Sequence, residues 1–162
     1  MSLATFSFPT TTLFGAGALA ELPGRLVALG IQKPLVVTDP GLLSTEAFQL
    51  LNETLGSKKQ EKTWFLYFGV HANPIEQDVQ EAAQAFRAQE CDGILAIGGG
   101  SPLDVGKAAR LLVRRPGFAL SKFYDEPDWS GLAPFVAIPT TAGTGSEVGR
   151  SSVITLDRKS VV

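Results

Sequence analysis

A chain of 162 residues, 44% of them hydrophobic, has the size and apolar content of one globular domain able to bury a full core. Fourteen Lys and Arg against sixteen Asp and Glu leave a net charge of −2, with no basic run fit to follow a phosphate backbone, so no nucleic-acid partner is expected. No apolar run approaches the roughly eighteen residues that cross a bilayer, no membrane role or signal segment is read, and a cytoplasmic location is expected. Cys91, the only cysteine, excludes an internal disulfide and reads as a small buried hydrophobe.

Taken in chain order, "ATFSFP" and "TTLFG" predict two short strands around Pro9 that pair as a hairpin. Leu19, Leu22, Leu26 and Leu29 recur at helical spacing, with Pro23 placed in the first turn and Gly30 as a stop. "PLVVTD" predicts a buried strand, Glu46 to Leu55 a helix ended by Gly56, and "TWFLYFG" the next strand. Asn73, Pro74 and Glu76 predict a helix start with Asn73 as N-cap, followed by a core stripe of Ile75, Val79, Ala82, Ala83 and Phe86. "DGILAIGGG" is a strand running into glycines, with a helix expected to start at Ser101 and Asp104 by the same capping logic. "PFVAIP" is a further buried strand, residues 116–131 an irregular surface loop with some short helix, and "SSVITLD" a last strand.

Strands that alternate with helices, and are apolar on both faces, specify a single doubly wound α/β domain over 1–162 with a mostly parallel sheet and an N-terminal β-hairpin. Ligands gather at the carboxyl ends of such strands. Three polar loops fall there: Thr38 to Pro40, Gly98 to Ser101, and Thr140 to Ser146.

Gly98, Gly99 and Gly100 let backbone amides approach a ligand, and the helix that follows aims its positive end at the same place, a combination suited to a diphosphate. A tight, closely packed strand-to-helix turn is the competing explanation. The loop is not a Walker motif, because Ser101 stands where a glycine is needed and Ala108 where the metal-binding hydroxyl belongs. Nor does "TDPG" after the earlier strand match the usual G-x-G-x-x-G dinucleotide fingerprint. In "PTTAGTGSE", Thr140, Thr141, Thr144 and Ser146 offer hydroxyls to a ribose or phosphate, or simply form a Ser/Thr-rich turn. Asp39 is either a turn residue or an acceptor for both hydroxyls of an adenosine ribose, where its charge would disfavour a 2′-phosphate. His71 is alone and reads as a loop residue, since one imidazole cannot build a metal site.

"GGGSPLDVGKAA" followed by "IPTTAGTGSEV", with Asp39-Pro40 and Asn73-Pro74, resembles the iron-containing (group III) alcohol dehydrogenase family over essentially the whole chain. The resemblance implies a Rossmann-like NAD-binding domain, with NADP the less favoured cofactor, in which Gly98, Gly99, Gly100 and Ser101 hold the pyrophosphate. It implies Asp104 and Lys107 on the nicotinamide side, Thr140, Thr141, Thr144 and Ser146 on the adenine and ribose side, and Lys159 near the nicotinamide ribose. It also implies a small alcohol or aldehyde substrate and a homodimer. A divalent metal, iron or zinc, is held in that family by a helical domain absent from this sequence. The chain is therefore expected to be the cofactor half of a longer enzyme, with no catalytic or metal-binding residue of its own. The alternative is a stand-alone nucleotide-binding or interaction module without turnover.

Overall fold

The computed structural model describes residues 4–7, 10–56, 63–125, 128–157 and 160–161. At the amino terminus β1 (Ala4–Ser7) and β2 (Thr11–Phe14) pair antiparallel, Ala4 opposite Phe14 and Ser7 opposite Thr11, which is the expected hairpin. The main sheet comprises β3 (Pro34–Val37), β4 (Phe65–Tyr67), β5 (Gly93–Gly98) and β6 (Phe135–Pro139). Its order is β4-β3-β5-β6 with every pairing parallel.

Alternation along the strands builds a core on each face. Leu35 and Val37 of β3 and Ile94 and Ala96 of β5 face one layer, made by α3 (Glu76–Ala88) and α4 (Gly100–Arg114). Val36, Leu95 and Ile97 face the other, where α1 (Leu22–Ala28) brings Leu22 and Leu26 and α2 (Glu46–Thr54) brings Leu51. Each fully buried branched side chain of this kind contributes about 1.5–3 kcal/mol. Small residues set the spacing between layers: a Cβ on Gly106 of α4 would lie 2.9 Å from Phe135 and 3.0 Å from the Cβ of Ala96. The helix can lie this close to β5 and β6 only because that position carries no side chain.

Pro23 falls in the first turn of α1, as its spacing predicts, and Thr45 caps α2 by accepting from the Phe48 amide at 3.4 Å. Two other helix starts differ from expectation. Helix α3 begins at Glu76, not after Asn73, because the Asp78 carboxylate accepts from the Ile75 amide at 3.2 Å and the His71 amide at 3.1 Å. Pro74 stays outside the helix, its carbonyl taken at 2.8 Å by the amide of Thr155. Helix α4 begins at Gly100 with Gly99 half in, so Ser101 is not its cap; the Ser101 hydroxyl donates instead to the Ala72 carbonyl at 2.7 Å. Finally, "SSVITLD" yields only β7 (Thr155–Asp157), paired antiparallel with β8 (Ser160–Val161), while 151–154 run outside any ladder.

The sheet's amino edge is closed by Asp92. Its carboxylate accepts from the amides of Gln32 at 2.9 Å and Lys33 at 2.8 Å. Cys91 beside it is buried, and that burial pushes its thiol up to about 11. Residues 116–131 carry a 3₁₀ turn, Leu120–Asp125, with Trp129 stacked on Phe123 and edge-on to Phe118, the short helix the sequence suggests.

Candidate functional site

The three polar loops converge at the carboxyl edge of the sheet. Thr38, fully buried, donates its hydroxyl to the Ile97 carbonyl at 2.9 Å and its amide to the Tyr67 carbonyl, also at 2.9 Å, so one residue ties the ends of β3, β4 and β5. Sequence reasoning placed Thr38 in the loop but gave it no task, because both partners lie far along the chain. Asp39 follows. One carboxylate oxygen accepts from the Leu42 amide at 3.2 Å and caps a 3₁₀ turn, Pro40–Ser44. The other lies 3.4 Å from where a Cβ on Gly98 would stand. The turn explanation for Asp39 is thus correct as far as it goes, and the same side chain also borders the glycines.

The glycines do two different jobs. Gly98 has φ +144°, and a Cβ there would meet the Pro102 ring at 2.7 Å, so at this position close packing within the protein already demands glycine. A Cβ on Gly99 would lie 3.3 Å from the Thr141 hydroxyl. On Gly100 it would lie 3.2 Å from the Ser146 hydroxyl and 3.3 Å from Thr144. The space left by the missing side chains is therefore what allows the second loop to close on the first. Register helps: the Thr140 amide donates to the Gly98 carbonyl at 2.8 Å, carrying the β5–β6 pairing into the loops. The structure brings together Asp39, Gly98, Gly99, Gly100, Thr141, Thr144 and Ser146, with Thr140 and Ser101 beside them.

What these loops frame is the start of a 15-residue helix with no side-chain cap. The amides of Gly99, Gly100 and Ser101 have no acceptor within the helix, and Pro102 has no amide at all. Such a helix end, ringed by hydroxyls, suits a group with several negatively charged oxygens.

Asp104 and Lys107 are spent on protein partners. Their side chains pair at 2.9 Å, each only 9% exposed. Lys107 also donates to the Ser151 carbonyl, and Asp104 accepts from the Val153 amide at 3.0 Å. Neither is a helix-start carboxylate nor a solvated cation. Lys159 lies outside the described residues. His71 holds Asp78 through Nδ1 at 2.7 Å, a pair not legible from the sequence. Among the described residues no group of three or more His, Cys, Asp or Glu could hold a metal ion, so the residues present do not fit the divalent metal that the resemblance implies. Nor, among those residues, is any helix long and apolar enough to cross a membrane.

A parallel, doubly wound sheet with its polar loops gathered at the carboxyl edge defines the dinucleotide-domain class of α/β fold. The sequence profile described as "Iron-containing alcohol dehydrogenase" matches residues 9–161, and the chain belongs to that family. It is 34% identical to alcohol dehydrogenase 4 of Schizosaccharomyces pombe over 163 aligned residues, covering 99% of this chain and 38% of that protein. Among solved structures, 1,3-propanediol oxidoreductase superposes with a TM-score of 0.75 at 35% identity, covering 87% of this chain and 36% of that one. Sulfoacetaldehyde reductase from Bifidobacterium kashiwanohense, solved in complex with NAD+, superposes with a TM-score of 0.72 at 29% identity, covering 88% and 37%. The chain spans less than two fifths of the length of each of these relatives.

Proposed function

We propose that this chain is the NAD-binding part of a metal-dependent alcohol dehydrogenase that moves a hydride between NAD and a small alcohol or aldehyde. The observation that carries this reading is the uncapped start of α4, with Thr141, Thr144 and Ser146 held against Gly99 and Gly100 and Asp39 against Gly98. In this reading the amides of Gly99, Gly100 and Ser101 donate to the diphosphate. Hydroxyls of Thr140, Thr141, Thr144 and Ser146 complete the wall on the adenosine side. Asp39 accepts from the two ribose hydroxyls and repels a 2′-phosphate, so NAD is preferred to NADP. When bound, NAD supplies the hydride acceptor. The described residues contain no donor set for the metal that would stabilise the developing alkoxide, so turnover requires ligands from elsewhere.

Calorimetric titration of NAD and NADP into this chain and its Gly99→Val variant tests the reading. NAD should bind the parent chain weakly, NADP about tenfold more weakly still, and the variant should lose both while melting at a similar temperature. Alcohol oxidation should stay undetectable with added iron or zinc. Equal binding by Gly99→Val would refute the site, and turnover by the chain alone would refute the division of labour.

A further inference from the structure

Gly100, Asp104 and Lys107 are spaced i, i+4 and i+7, which puts them on one stripe of α4. The segment after the second loop runs along that stripe. Thr144 and Ser146 abut Gly100; the 145–149 turn is closed by the amides of Val148 and Gly149 on the Gly145 carbonyl, at 3.2 and 3.1 Å; and 151–153 are then tied to Lys107 and Asp104. Burial does little to hold this stretch. Ser151 is exposed and Val153 is 59% exposed, and the next buried side chain is Ile154. The two backbone ties come from a charged pair that is itself nearly buried.

We propose that Asp104 and Lys107 are positioning residues: as an ion pair they latch residues 151–153 to α4 and thereby hold the hydroxyl loop, Thr141 to Ser146, at its working distance from the glycines. This rests on the reading of the glycine loop as the diphosphate site. It differs from a role in which either side chain touches the nicotinamide, because both polar ends are already engaged. A latch governs every ligand that uses the cradle, whereas a nicotinamide contact governs only ligands that carry the nicotinamide.

The test compares D104N, K107M and V153P with the parent chain. The last removes the donor amide at an exposed position and leaves α4 untouched. Hydrogen exchange is read at the amides of residues 151–153, and affinity is measured for both NAD and ADP-ribose. The Val153 amide in D104N and K107M should exchange about ten- to a hundredfold faster, as expected for the loss of a charge-assisted tie, with β5 amides unchanged. NAD and ADP-ribose should weaken together, about three- to tenfold, in all three variants. Loss of NAD affinity with ADP-ribose unaffected would overturn the latch in favour of direct contact. Faster exchange with both affinities intact would also overturn it. If the parent chain bound neither ligand, the diphosphate reading would fail first and the latch with it.

Discussion

The two edges of the central sheet use the same residue types, an aspartate and glycine beside it, to opposite effect. At the amino edge Asp92 saturates itself on the amides of Gln32 and Lys33, and a Cβ on its neighbour Gly93 would stand 2.6 Å from Ile31. At the carboxyl edge Asp39 takes, among the described residues, a single amide, from Leu42, and α4 starts with no side-chain cap. One edge consumes its polar groups and its space within the fold. The other holds a set of donors and acceptors in place while leaving amides to be satisfied by something else. A glycine or an aspartate is therefore informative only once its partners are known.

This contrast can be broken from either side. Overfilling the packed interior should have the largest effect on stability: Gly106→Val drives its branches into Phe135 and Ala96 and should cost about 3 kcal/mol in denaturant unfolding. Asp92→Ala orphans two amides at the amino edge and should cost about 2 kcal/mol, with NAD affinity unchanged for the molecules that remain folded. Asp39→Gly should cost only about 0.3 kcal/mol, since glycine is itself a tolerable cap, yet reduce the preference for NAD over NADP about tenfold in paired titrations. The smallest change is at Cys91. Burial raises its thiol to about 11, so alkylation at pH 8 should be far slower than for a free thiol and quicken as pH climbs toward that value. An Asp92→Ala chain that lost NAD binding while folded would erase the distinction between the edges.

Much of the architecture was legible because it follows from short-range pattern. The apolar runs at 34–37 and 93–98 are buried on both faces, and the three loops do lie at the carboxyl edge. Helix starts were less legible, because capping rules are local and the structure overrides them at long range. Ser101 looks like a cap, but its hydroxyl goes to Ala72, and Asn73-Pro74 looks like a helix start, but Thr155 claims the Pro74 carbonyl. For the same reason the ties of Asp104 and Lys107 are not legible in the sequence: their partners, Val153 and Ser151, are 49 and 44 residues away and are backbone atoms, which leave no trace in residue identity. In the sequence the glycines offer room for an anion. In the structure that room first admits Thr141, Thr144 and Ser146, and the anion reading rests on the amides of the helix those residues surround.

The central claim concerns three amides, and nuclear magnetic resonance can watch them directly. On titrating ADP-ribose into the isotopically labelled chain, the amide signals of Gly99, Gly100 and Ser101 should move most, with those of Asp92 and Gly93 still. Saturable binding that shifts other amides and leaves these three unmoved would contradict the account.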